Sequence, residues 1–163
     1  MTAADEMLAH AEAHSADQAA GDLGIGPRRG VAVLSCMDAR IDVLPLLGLA
    51  RGDAHVIRNA GGLVTDDALR SLAASQRLLG TEEVVVVMHE GCGLCGASDD
   101  DFAATLAAEG VAPAWRLGGF ADLDEALRAS LARLRAAPEL PAREQVRGFV
   151  FDPASGSLRD VER

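Results

Sequence analysis

Two short stretches contain no polar residue: Val31-Ala32-Val33-Leu34 and Val84-Val85-Val86-Val87-Met88. A half-exposed strand alternates polar and apolar residues. A continuous apolar run of this length, rich in β-branched residues, belongs to a strand buried on both faces. That setting is a parallel sheet covered by helices, so the chain is constrained to an α/β fold. Each run leads straight into residues that carry chemistry. Ser35-Cys36-Met37-Asp38-Ala39-Arg40 follows the first, and His89-Glu90-Gly91-Cys92 follows the second.

The remaining elements are read around these two strands. Asp53–Ile57 and Val146–Phe151 supply two more, and Ser157–Val161 suits an antiparallel edge after the turn at Asp152–Gly156. Between Thr65 and Leu79 the positions Leu69, Leu72, Ala73, Gln76 and Leu79 share one helical face, Asp66 and Asp67 favour the helix start, and Gly80 ends it. Ser98 is placed to cap a helix whose acidic start, Asp99-Asp100-Asp101, reads as a helix-dipole feature. Leu123, Leu127, Leu131 and Leu134 stripe a helix over ~121–136, with Asp124 and Arg128 paired at i, i+4. Ile41–Leu49 holds a helical turn at Pro45. Residues ~2–20 read as an Ala-rich helical arm with little core face. His10 and His14 on it read as two exposed side chains rather than a metal site, and His55 as a structural histidine. The expectation is one domain over 1–163, with a mostly parallel sheet of order 2-1-3-4. Such sheets bind ligands beyond the carboxyl ends of their strands. This order sets the first and third strands side by side and brings Cys36 and His89 together.

Composition excludes several classes. With 15 basic and 25 acidic residues the net charge is −10, which disfavours nucleic acid or an anionic membrane as the main partner. Three cysteines, Cys36, Cys92 and Cys95, are too few for a disulfide scaffold. Met1–Ala20 lacks the pattern of a signal peptide, and no window approaches the roughly 18 apolar residues of a membrane span. A reducing cytoplasm is the expected compartment.

Cys36, His89 and Cys92 form a donor set that suits zinc and leaves a fourth position open. Asp38 can fill that position or step back and accept a hydrogen bond from a zinc-bound water, with Arg40 gripping its carboxylate in a planar fork. Zinc lowers the pKa of such a water from 15.7 to about 7 and makes a nucleophile for a small electrophilic carbon.

The motifs Cys36-Met37-Asp38-Ala39-Arg40, Val56-Ile57-Arg58-Asn59-Ala60-Gly61-Gly62 and His89-Glu90-Gly91-Cys92-Gly93, with Arg147–Asp152, make the chain resemble the short bacterial β-class carbonic anhydrases. The resemblance runs from about Val31 to the C-terminus. It implies one Zn²⁺ per subunit on Cys36, His89 and Cys92, and an Asp38–Arg40 dyad. It also implies reversible hydration of CO₂ to bicarbonate in a homodimer or dimer of dimers, with the N-terminal helix embracing the partner. Asn59, Ala60, Gly61 and Gly62 are expected in the loop beside the substrate. Two residues depart from the family pattern. Glu90 stands where threonine is frequent, and a carboxylate there can raise the pKa of the zinc-bound water or bind the metal. Cys95 turns Cys92-Gly93-Leu94-Cys95 into a CxxC, a spacing used in zinc and redox chemistry.

Three other readings are weighed. Gly91–Gly96 matches GxGxxG, but it follows the third strand and leaves Cys36, Asp38, Arg40 and His89 without a role. A hydrolase for carbon disulfide or carbonyl sulfide would use the same hydroxide. A non-catalytic zinc protein would be favoured by Glu90 and Cys95.

Overall fold

The computed structural model describes residues 2–162. In chain order its elements are α1 (Ala3–Ala13), β1 (Val31–Cys36), α2 (Val43–Leu46), β2 (Ala54–Asn59), a 3-10 turn at Ala60–Gly62, α3 (Asp66–Leu79), β3 (Glu83–His89), α4 (Asp99–Ala108), α5 (Leu123–Ala136), β4 (Val146–Phe151) and β5 (Leu158–Asp160). The strands form one sheet in the order β2-β1-β3-β4-β5, parallel except for β5, which runs antiparallel to β4. This is the α/β sheet order expected from the sequence, including the antiparallel edge. Ser35 stands opposite Val87, so Cys36 and His89 leave neighbouring strands at the same carboxyl edge.

Burial follows the apolar runs. All six residues of β1 are buried, and Ala32, Leu34, Val84, Val86 and Met88 face a core closed by Leu72 of α3 and by Leu127, Leu131 and Leu134 of α5. Those four leucines are fully inaccessible, and each contributes about 1.5–3 kcal/mol by leaving water. The opposite face gathers Val33, Ile41, Val43, Val87 and Phe151 around Cys36 and Cys92. The site therefore sits at the end of one core rather than on a surface loop.

Local chemistry sets the helix ends. Thr65 Oγ1 accepts from the Ala68 amide, Ser98 Oγ from Asp101, and an Asp122 carboxylate oxygen from Glu125, each satisfying an orphan donor of a first turn. Gly80 ends α3 in the left-handed conformation, with φ 75°.

Some details differ from expectation and others follow it. The N-terminal helix stops at Ala13 instead of continuing to residue 20. None of its residues is buried, so the Thr2–Asp5 capping box and local propensity hold it without core packing, while Arg51 bonds the Gln18 and Ala19 carbonyls beyond it. His10 and His14 stack in the open, with ring centroids 4.1 Å apart. The β2 strand extends past Ile57 to Asn59. Gln76 is buried, its side-chain oxygen accepting from the Ala142 amide at 3.1 Å. Asp99 does more than complement a dipole: it accepts from the Gly118 and Gly119 amides and from Arg116, stapling the return from α4. Arg128 lies 3.6 Å from Asp124, whose closer partner is Arg159 of β5. His55 Nδ1 bonds Ser75 Oγ at 2.7 Å, which in turn bonds Thr81, as suits a structural histidine. Among the described residues no helix is long and apolar enough to cross a membrane.

Candidate metal centre

The turn after β1 is held from three directions. The Met37 amide donates to the Asn59 carbonyl at 2.8 Å, continuing the β1–β2 pairing one step. The Arg40 amide donates back to Asp38 Oδ1 at 2.9 Å, closing a tight Asx turn. The Arg58 guanidinium then bridges the loop, donating from Nε and Nη2 to the Cys36 carbonyl at 3.0 and 2.8 Å and from Nη2 to the Asp38 carbonyl at 2.6 Å.

The segment after β2 supports this turn from behind. Asn59 closes it, donating to and accepting from the Leu63 main chain at 2.7 and 2.9 Å. Asn59 is extended, with φ −144°, and the loop turns through positive φ at Gly61 and Gly62. A Cβ on Gly62 would lie 2.9 Å from the Cys36 nitrogen and 3.1 Å from the Val87 carbonyl oxygen, both main-chain atoms that cannot swing away. Its φ of +66° adds strain for any other residue. Gly62→Ala is expected to destabilise the fold by about 2 kcal/mol or more. The result would be a lower urea midpoint at unchanged m-value.

His89 ends β3 and is 1% exposed. Its Nδ1 lies 3.0 Å from the Glu90 carbonyl, which only accepts, so Nδ1 carries the proton and Nε2 presents a lone pair. That Nε2 is buried without a hydrogen-bond partner. An orphaned polar atom in such a place requires an explanation. Its neighbours provide one: an imidazole nitrogen of His89 and the Sγ atoms of Cys36 and Cys92 all lie within 4.8 Å of one another. A tetrahedral zinc spreads its sulfur and nitrogen ligands by roughly 3.3–3.8 Å, within that spacing. Burial and the adjacent Cys36 push the Cys92 thiol up, so a cation between the two sulfurs would be needed for both to ionise. The residues present fit a thiolate-preferring metal such as zinc.

Asp38 flanks this group. Arg40 donates from Nε to Oδ1 at 2.9 Å and from Nη2 to Oδ2 at 2.8 Å, and reaches the Gly91 carbonyl at 3.2 Å, tying the two strand-end loops together. These bonds hold the Asp38 carboxyl well below the usual carboxylate range. Asp38 Oδ2 is 3.7 Å from His89 Nε2.

The two departures are placed apart from this cluster. Glu90 is half-exposed and ion-paired to Arg159 at 3.2 Å. Cys95 is exposed, with its thiol directed to the Ala121 carbonyl, and all three cysteines are free. The GxGxxG stretch is the turn that presents Cys92. Spacing singled out the cluster but not Arg58 or Arg159. The side chain of Arg58 spans from one strand to the neighbouring loop, and only its place in the Arg58–Gly62 stretch hinted at it.

The chain as a whole is similar to several known proteins. The family described as carbonic anhydrase matches residues 31–146. Beta-carbonic anhydrase 1 of Mycobacterium tuberculosis is 44% identical over 162 residues, covering 99% of each chain. The crystal structure of carbonic anhydrase from Streptococcus mutans superposes with a TM-score of 0.90 at 36% identity, covering 99% of this chain and 98% of that one. A carbon disulfide hydrolase of Acidithiobacillus thiooxidans is 34% identical over 158 residues, covering 84% of this chain and 79% of that protein.

Proposed function

Because the chain belongs to the β-carbonic anhydrase family, we propose that it catalyses the reversible hydration of CO₂ to bicarbonate and a proton, with one Zn²⁺ per subunit held by Cys36, His89 and Cys92. The observation that carries this reading is the orphaned, buried Nε2 of His89 converging with two thiols. Zinc held there supplies a Lewis acid that lowers the pKa of a coordinated water to about 7.

The chain's own residues supply the rest. A carboxylate offers about four acceptor positions. Arg40 fills two on Asp38 Oδ1, through its amide and Nε, and one on Oδ2. The remaining position is on Oδ2, the oxygen that faces His89 Nε2. Asp38 thus keeps one fixed acceptor beside the reacting atoms and orients a single O–H donor there. Arg40 holds the carboxylate in this orientation, which favours Asp38 as a hydrogen-bond acceptor over Asp38 as a ligand. Asn59–Gly62 and Arg58 act as the scaffold of this wall.

The exposed α1, with Met7 and Leu8 turned to solvent, suits an arm laid on a second copy in a homodimer or dimer of dimers. The three free thiols suit a cytoplasmic enzyme. The likeness to a carbon disulfide hydrolase supports a second reading, in which the same residues hydrolyse carbon disulfide.

Stopped-flow CO₂ hydration on zinc-loaded protein separates the two. Activity is expected to rise from mildly acidic to alkaline pH. The sign follows from Asp38: its carboxyl is held low, so it is ionised across this whole range and contributes no limb. The rise then belongs to the nucleophile. Zinc-loaded protein inert toward CO₂ at every pH, yet active on carbon disulfide, would reverse the assignment.

A further inference from the structure

A carboxylate directly after a metal-capable histidine is a hazard, because it can compete for the metal or pull the histidine with it. Here Glu90 is tied down at three points. Its amide donates to the Phe151 carbonyl at 2.8 Å, carrying the β3–β4 ladder one residue past the strand. Its carbonyl receives the His89 Nδ1 proton at 3.0 Å. Its side-chain Oε1 accepts from Arg159 Nη2 at 3.2 Å.

Arg159 is itself anchored. It lies on β5 opposite Val150 of β4, and both of its terminal nitrogens donate to the two carboxylate oxygens of Asp124 in the first turn of α5. A fork committed in this way cannot follow Glu90; Glu90 must come to it. Glu90, the residue whose carbonyl sets the tautomer of His89, is therefore held from β4 through its amide and from the β5–α5 corner through its side chain.

We infer that Arg159 is a positioning residue for His89, acting through Glu90: it parks the carboxylate away from the thiol–imidazole group and steadies the carbonyl that keeps Nε2 free. This rests on the reading of Cys36, His89 and Cys92 as the zinc ligands. It also accounts for how the chain accommodates a carboxylate directly after His89. Groups behind a metal ligand typically govern ten- to a hundredfold in metal affinity. The Glu90–Arg159 pair is about half exposed on both sides, and solvent weakens such pairs. The expected effect is thus about three- to tenfold.

The test is a cycle of Arg159→Gln, Glu90→Ala and the double variant, read as zinc affinity by competition with a chromophoric chelator at fixed pH and salt. Arg159→Gln is expected to weaken zinc by about three- to tenfold, Glu90→Ala to weaken it less because no carboxylate is freed, and the double variant to match Glu90→Ala. Loss of the Arg159–Asp124 bonds occurs with or without Glu90, so a merely structural role would give effects that add. Additive effects, or parental affinity in Arg159→Gln, would overturn the inference. The readout is independent of turnover. Zinc-loaded parent protein that fails to hydrate CO₂ removes the proposed function and leaves this inference standing, whereas a parent that takes up no zinc removes both.

Discussion

Cys36→Ala is expected to abolish stoichiometric zinc, from about one equivalent per subunit to near none after desalting against a weak chelator. The protein should still fold. The side chain removed is small, and Cys36, at 4% exposure, packs among Val33, Ile41 and Val43, so its loss costs on the order of 1 kcal/mol in packing. The metal loses far more. Structural zinc in small finger domains binds with roughly 10–16 kcal/mol of apparent free energy, which sets the scale, and removing one of two thiolates takes away both a bond and a negative charge. What remains, His89 and Cys92, is a two-ligand set. The necessary control is Cys95→Ser, which should keep its zinc in full. Cys95 lies outside the group of converging atoms, with its thiol directed to the Ala121 carbonyl. Elemental analysis of both variants, alongside urea melts to confirm folding, decides the point. Zinc retained by Cys36→Ala would sink the ligand assignment, and zinc lost from Cys95→Ser would bring the CxxC reading back.

The contrast between Cys36 and Cys95 shows what a sequence reveals of such a site. Cys36 and His89 were recognisable because each closes a strand whose unbroken apolar run dictates burial on both faces. Two buried parallel strands that both end in metal donors make sense as neighbours, and the order β2-β1-β3-β4 follows. The stop of α1 at Ala13 was not legible, because an Ala-rich segment with no buried residue carries no periodic signal for its end. Asp99, Arg58 and Arg159 were misread or passed over for a common reason. Each acts through a long-range hydrogen bond to a loop or another element, and nothing in local spacing encodes a partner 17 to 69 positions away. Glu90 looked like a threat to the metal for the same reason: the residue that restrains it lies on the last strand.

Asp38→Ala is the second large effect expected, and it should separate metal binding from turnover. Zinc content should stay near that of the parent, because the substitution leaves Cys36, His89 and Cys92 in place, and Arg58 holds the Cys36 and Asp38 carbonyls through the main chain. The CO₂ hydration rate should fall by about 10²- to 10⁴-fold, the usual contribution of a positioned group that accepts or relays a proton. Asp38→Asn is the sharper variant. It preserves shape, but its NH₂ would meet Arg40, which offers only donors. One of the two fork contacts must break and the side chain must turn, so Asn is expected to do no better than Ala. If Asp38 served only to brace the loop, Asn should instead recover much of the rate, since its oxygen can still accept the Arg40 amide that closes the Asx turn. Stopped-flow rates on zinc-replete protein distinguish these outcomes. Unchanged hydration in Asp38→Ala would remove the Asp38–Arg40 pair from the mechanism and leave it as a strut between the two loops.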